Sequence, residues 1–201
     1  MKKNTYNQAG FSLVELMVSL IITLVILGVA VVVFSQALST RARETSKTDA
    51  ITSAEAALSV MSREIGNSGY GLNDNGIVSD STSTMLHFRA NVVNDNNTTS
   101  DPGEDLMFYL DGSGTDQSVV RHDNNTGETS GIINRISSVS FAYQNYSVTG
   151  TPCSGACVDT GKITITLTVN LEDVQGQPTG QTVTVTSEVT LRNSSYMRGQ
   201  Y

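Results

Sequence analysis

The spacing of apolar residues changes along the chain, and each change predicts a different element. From Leu16 to Phe34 there are 19 successive uncharged, mostly apolar residues. As a helix this run is about 28 Å long at 1.5 Å per residue, close to the roughly 30 Å hydrocarbon core of a bilayer. It predicts a spanning helix. Further on, Ile51, Ala54, Leu58, Met61 and Ile65 recur at alternating intervals of three and four, while Arg43, Glu44, Lys47, Asp49, Glu55, Arg63 and Glu64 take mostly other positions. That is the stripe of an amphipathic helix. Gly66, followed by Asn67-Ser68-Gly69-Tyr70-Gly71, supplies a stop. The pattern therefore predicts one helix from about residue 12 to 65, apolar all round in its first half and packing one stripe on a sheet in its second.

The remainder alternates at period two. Leu86, Phe88, Ala90 and Val92 form one such series, and Val139, Phe141 and Tyr143 another. In "KITITLTVNL", Ile163, Ile165, Leu167, Val169 and Leu171 share one face and threonines the other; "TVTVTSEVTL" repeats this with Val183, Val185, Val189 and Leu191. The segment Glu172 to Gln181 between them contains Gly176, Pro178 and Gly180. It predicts an antiparallel pair whose apolar face covers the helix. "EDLMFYLDGSGTDQSVVRHDNNTGE" reads as two strands around a Gly-rich turn. The expected fold class is α+β: a long N-terminal helix packed on an antiparallel β-sheet.

Charge and chemistry narrow the function. The net charge is −7, and loss of the first ten residues, with Lys2 and Lys3, takes it to −9. Such a surface repels nucleic-acid backbones, and no basic patch for direct nucleic-acid binding is visible. His87 and His122 stand apart from any Gly-x-Ser-x-Gly elbow, zinc spacing or phosphate-cradling loop, so no catalytic residue, metal ligand or cofactor is assigned. Asp111 to Asp116 and Asp123 to Glu128 are acidic turns that either lie in solvent or offer oxygen ligands to calcium; neither has EF-hand spacing. Cys153 and Cys157 sit in a Gly- and Ser-containing loop. They do not form a Cys-x-x-Cys redox motif, and an exported domain would close them as a structural disulfide; two free thiols are the alternative.

Glu15 is the residue that the membrane reading must explain. A carboxylate at the centre of a spanning helix costs roughly 2.5–3.5 kcal/mol on insertion scales, and less toward an end. Either it lies at the head-group boundary and helps the helix dipole, or it meets a partner. A cleavable signal peptide is a further alternative, with Ala37-Leu38-Ser39 as a weak cleavage site. Lys2 and Lys3 against Arg41, Arg43 and Lys47 leave orientation open by charge, but long C-terminal domains translocate largely regardless of it.

The stretch "GFSLVELMVSLIIT", after a short leader with two lysines, resembles the N-terminal processing signature of type IV pilins and of the pseudopilins of type II secretion. The resemblance implies a cut between Gly10 and Phe11 by a prepilin peptidase and N-methylation of Phe11. It makes Glu15 the fifth residue of the mature chain, paired with the amine of a neighbouring subunit's Phe11. It also implies residues 1–10 as leader, 11–35 as transmembrane and filament-core helix, 36–66 as its amphipathic continuation, and 67–201 as an exported β-rich domain. Major pilins often carry a proline in the apolar half, where this chain has Val32; Gly28 is the sole glycine there.

The order of a Tyr-containing strand, a polar turn, the Arg-bearing Val119-Val120-Arg121, "INRISSVSFAYQN" and a late "ITITLTV" is similar to minor pilins of the PilW-like branch, related to the J-type pseudopilin. That implies a structural subunit that helps initiate or cap a filament. Its partners would be the inner-membrane assembly platform, a major pilin and other minor pilins. It would sit in a bacterial inner membrane and then in a surface filament. A tip-displayed or membrane-tethered adhesin, using loops between residues 66 and 131, and a type II secretion pseudopilin are the alternatives.

Overall fold

The structure, a computed structural model, describes residues 10–93, 98–114, 117–146, 153–171 and 178–199. The leader up to residue 9, including Lys2 and Lys3, lies outside the described residues, as do Asp116 in the first acidic turn and residues 172–177 between the last two strands.

One helix, α1, spans Leu13–Gly66 without interruption. Among the described residues seven strands follow: β1 (Met85–Arg89), β2 (Asp105–Asp111), β3 (Ser118–Asp123), β4 (Thr129–Ile133), β5 (Ile136–Asn145), β6 (Thr160–Asn170) and β7 (Thr182–Thr190), and then a short α2 (Ser195–Arg198). The strands form two antiparallel meanders, β1-β2-β3-β4 and β5-β6-β7. The chain is thus α+β, with the long helix packed on antiparallel sheets. It passes from one sheet to the other through only Asn134 and Arg135, and Arg135 takes a left-handed φ of 60° to do so. Its carbonyl accepts from Asn170 N–H at 2.8 Å, which ties the crossing to the end of β6.

The core unites helix and sheets. Ala54, Leu58, Met61 and Ile65 are buried as the stripe predicts, Ala57 joins them, and Ile51 is half-buried. They meet Ile163, Ile165, Leu167 and Val169 of β6 and Val189 of β7, the face that period-two alternation had placed inward. Phe88 and Phe108 stack at 5.7 Å in the part of this core beneath the four-stranded sheet. α1 and β7 run in the same sense: Ser62 Oγ lies 3.1 Å from Ser187 Oγ, and one turn further a Cβ on Gly66 would stand 3.8 Å from Val189 Cγ1.

Gly66 ends α1, but not by a left-handed turn. The cap residue Asn67 is right-handed (φ −91°), and the first glycine with positive φ is Gly69. At Gly76 the backbone approach is so close that a Cβ would lie 2.2 Å from the Arg89 carbonyl oxygen. β1 ends at Arg89, earlier than the alternation suggested: Asn91 N–H is taken by Tyr70 O at 2.7 Å, and Val92 is 47% exposed.

Candidate functional site

Among the described residues, the N-terminal half of α1 has no partner. Gly10, Phe11 and Ser12 precede the helix, with Ser12 extended at φ −70°, ψ 140° and making no side-chain cap. Phe11 is 79% exposed, and the large apolar side chains from Leu13 to Leu38 are all exposed around the whole circumference. Leaving such a surface in water is unfavourable by roughly 25 cal/mol per Å², so this half must be covered by lipid or by other helices. Two polar side chains within it satisfy themselves locally. Ser19 Oγ donates to Leu16 O at 2.9 Å and Thr23 Oγ1 to Ser19 O at 2.7 Å, bonds that would keep the hydroxyls satisfied in an apolar surrounding.

Glu15 is the single acid of the first turn. Among the described residues nothing pairs with its carboxylate. Gly28 does not break the helix, and a Cβ there would meet nothing within 4 Å. The geometry is that of a continuous rod, apolar on every side, with one unpaired carboxyl group near its N-terminal end.

Cys153 and Cys157 are joined in a disulfide. Asn145 at the end of β5 donates through Nδ2 to Cys153 O (2.6 Å) and Gly155 O (2.7 Å). Asn75, from the loop after α1, donates to Cys157 O and Thr160 O, both at 2.8 Å. The disulfide loop therefore fastens the exit of α1 to the top of the β5-β6 hairpin. The same two sulfurs lie near Asp159, but their covalent bond consumes the thiolates that a metal would need.

Sequence reasoning missed a buried polar network on β1 and β2. His87 Nδ1 lies 2.8 Å from Asp80 Oδ1, and its Nε2 2.6 Å from Asp105 Oδ1. Arg89 Nε donates to Asp105 Oδ2 at 2.6 Å, and Asn124 Nδ2 to Asp105 Oδ1 at 2.6 Å. Burial works against the charge of Asp105, yet the bonds from Asn124, His87 and Arg89 outweigh it and hold the carboxyl below its ordinary range. Both ring nitrogens of His87 are engaged, so neither is free as a general base or metal ligand. His122 is occupied likewise, with Nδ1 2.7 Å from Thr129 Oγ1. Asp123, read as part of an acidic turn, is buried and accepts from Gly103 N–H (2.7 Å) and Asn125 N–H (3.0 Å). It organises the turn rather than lying in solvent. The signal for the network was the alternation of His87 and Arg89, but their partners come from other strands and segments.

Comparison with protein families agrees with the rod. The model of the prokaryotic N-terminal methylation motif matches residues 5–31. No curated protein and no solved structure matches the chain. The chain thus carries the prepilin-type signature of a pilin-like or pseudopilin subunit of a pilus or secretion system, a class whose members are structural rather than catalytic. The signature implies processing by a prepilin peptidase and assembly with other pilins, and with the apolar helix it fits membrane anchoring.

Proposed function

We propose that the chain is a minor pilin of the PilW-like, J-type branch, held in a bacterial inner membrane by α1 with residues 67–201 exported, and then drawn into a filament that it helps to initiate or cap. Peptidase cleavage falls between Gly10 and Phe11, and Phe11 becomes the methylated N-terminus. The observation that carries this reading is the exposed apolar rod with Glu15 unpaired near its start, inside the matched motif. A carboxylate and an amine are each costly in lipid, and pairing Glu15 with the Phe11 amine of a neighbouring subunit removes both uncompensated charges. The pairing also sets the register of adjacent helices. The disulfide and the Asn75 and Asn145 contacts support a domain built for an oxidising, extracytoplasmic compartment.

Glu15→Leu tests the reading. The variant inserts at least as well as wild type, because an insertion cost is removed, and its leader is still cleaved at Gly10. Its recovery in sheared filaments falls while processed protein accumulates in the membrane. Entry into filaments at the wild-type ratio would refute inter-subunit pairing, and an intact mass that retains Met1 would refute the processing.

A further inference from the structure

β7 leaves one long backbone edge open. Its ladder with β6 runs without a register shift from Lys162↔Thr190 to Asn170↔Thr182. The ladder is extended at its two ends by Leu191 N–H to Gly161 O (2.9 Å) and Leu171 N–H to Gln181 O (2.8 Å). Opposed residues of an antiparallel pair alternate between exchanging both bonds and exchanging none. These end bonds fix the phase: Val183, Val185, Ser187 and Val189 bond to β6. The N–H and C=O groups of Thr182, Thr184, Thr186, Glu188 and Thr190 point away from it. β7 is the last strand of its sheet, so among the described residues no strand receives them.

The other edges are guarded. Along β1 the preceding segment adds bonds from Val78 N–H to His87 O (3.0 Å) and from Arg89 N–H to Gly76 O (2.8 Å). β4 is five residues long and joins β3 through a bulge. β5 has register shifts near both ends, and its Phe141 N–H is taken by Ser83 O at 2.8 Å. β7 has nine residues, no shift, no proline and no basic residue; its one charge, Glu188, is held by Lys162 of β6 at 2.5 Å. Edges of this length are ordinarily blunted by one of those devices.

We propose that β7 is a strand-addition site, which takes an extended edge strand of a neighbouring subunit of different sequence in antiparallel pairing. The proposal rests on the filament-subunit reading in one respect, the common polarity of α1 in all subunits. Because β7 runs with α1, pairing β7 with β7 of a second copy would point the two apolar rods in opposite directions. Among the described residues a second copy offers no other unguarded edge, so the partner is another subunit. Its strand is apolar on the side that extends the half-buried Val183 and Val185, polar on the threonine side, and free of acid opposite Glu188. Backbone bonds supply the affinity in such pairing and the alternate side chains the selectivity.

The test places p-benzoylphenylalanine at Thr186 of the full-length chain in its own cells, with Ser140, on the same sheet face at the far strand, as control. Irradiation gives an adduct from Thr186 to one other subunit, mapped by mass spectrometry to a strand-like alternating segment, and only background from Ser140. With the probe moved to Thr184, Thr186→Pro, which removes an outward N–H without touching the β6 ladder, and Thr186→Lys, which leaves the backbone intact, both lose the adduct. Closure of Cys153–Cys157 and protease resistance show that both variants fold. An adduct to β7 of a second copy, equal yields at Thr186 and Ser140, or retention of the adduct in either folded variant overturns the proposal. Leader cleavage at Gly10 is scored on the same samples. An uncleaved chain refutes the subunit reading, whereas a cleaved chain without the adduct refutes the β7 site alone.

Discussion

Asn75→Ala isolates the joint between the helix and the sheet that it stands on. Asn75 is 1% exposed and makes three bonds: Nδ2 to Cys157 O and to Thr160 O, each at 2.8 Å, and Oδ1 from Ile77 N–H at 3.1 Å. At about 1 kcal/mol net for each bond, with two carbonyls and one amide left short of a partner, the loss comes to about 3 kcal/mol. Urea denaturation of the full chain in detergent micelles measures it, and native-state amide exchange locates it. The Ile77 amide should exchange faster, together with amides around Cys157, while β2 and β3 change only by the global loss. Asn75→Asp keeps the acceptor for Ile77 but sets a carboxylate against two carbonyl oxygens, so it should be at least as destabilising. A loss under about 1 kcal/mol, with Ile77 exchange unchanged, would show that this side chain does not couple the two segments.

Three further outcomes follow from the same structure. Asp105→Asn should destabilise the chain most at neutral pH: the folded carboxyl lies below its ordinary 3.8, so the unfolded chain takes up the proton first, and the wild-type advantage fades as pH falls through and below that value. An advantage that grew on acidification would contradict the network. Met61→Ala, fully buried, should cost about 2–5 kcal/mol in urea, whereas Met17→Ala, 56% exposed, should leave the domain's unfolding midpoint unchanged. One alanine inserted after Thr40 turns everything beyond it by about 100° relative to Glu15. Leader cleavage and domain stability should survive while recovery in filaments is lost, and normal recovery would show that the phase between rod and domain is irrelevant.

Elements that depend on local period were legible, and those that depend on distant partners were not. The stripe from Ala54 to Ile65 and the inward valines and isoleucines of β6 and β7 were readable because one face of each element is dry and the other wet. Val92 departed from its alternation because Asn91 bonds to Tyr70, a pairing across about twenty residues that no local pattern encodes. His87 looked solitary for a similar reason. Asp80 precedes it by seven positions and Asp105 follows by eighteen; the turn before β1 brings the first to the ring and the β1–β2 register the second. Gly66 marked the right boundary although the left-handed turn that its composition suggested falls three residues later, at Gly69. The open edge of β7 was hidden by its regularity: the alternation that identifies a strand does not say whether it is interior or last.

The unbroken helix is what lets one chain present two surfaces at a fixed relation. Between Glu15 and Ser62, where α1 touches β7, it rises about 70 Å at 1.5 Å per residue. No proline or left-handed residue interrupts it. The upper part is clamped by Met61, Ile65 and the Ser62–Ser187 contact, so rotation of the rod is rotation of the sheet. A neighbour that engages Glu15 at one end and an edge strand at the other must then match both an azimuth and a height. A subunit correct at only one end leaves either a carboxylate uncompensated in an apolar environment or a row of backbone groups unpaired. Each of those penalties is several times the thermal energy. Selection of the correct neighbour can therefore arise from the length and phase of α1, without a specialised recognition loop.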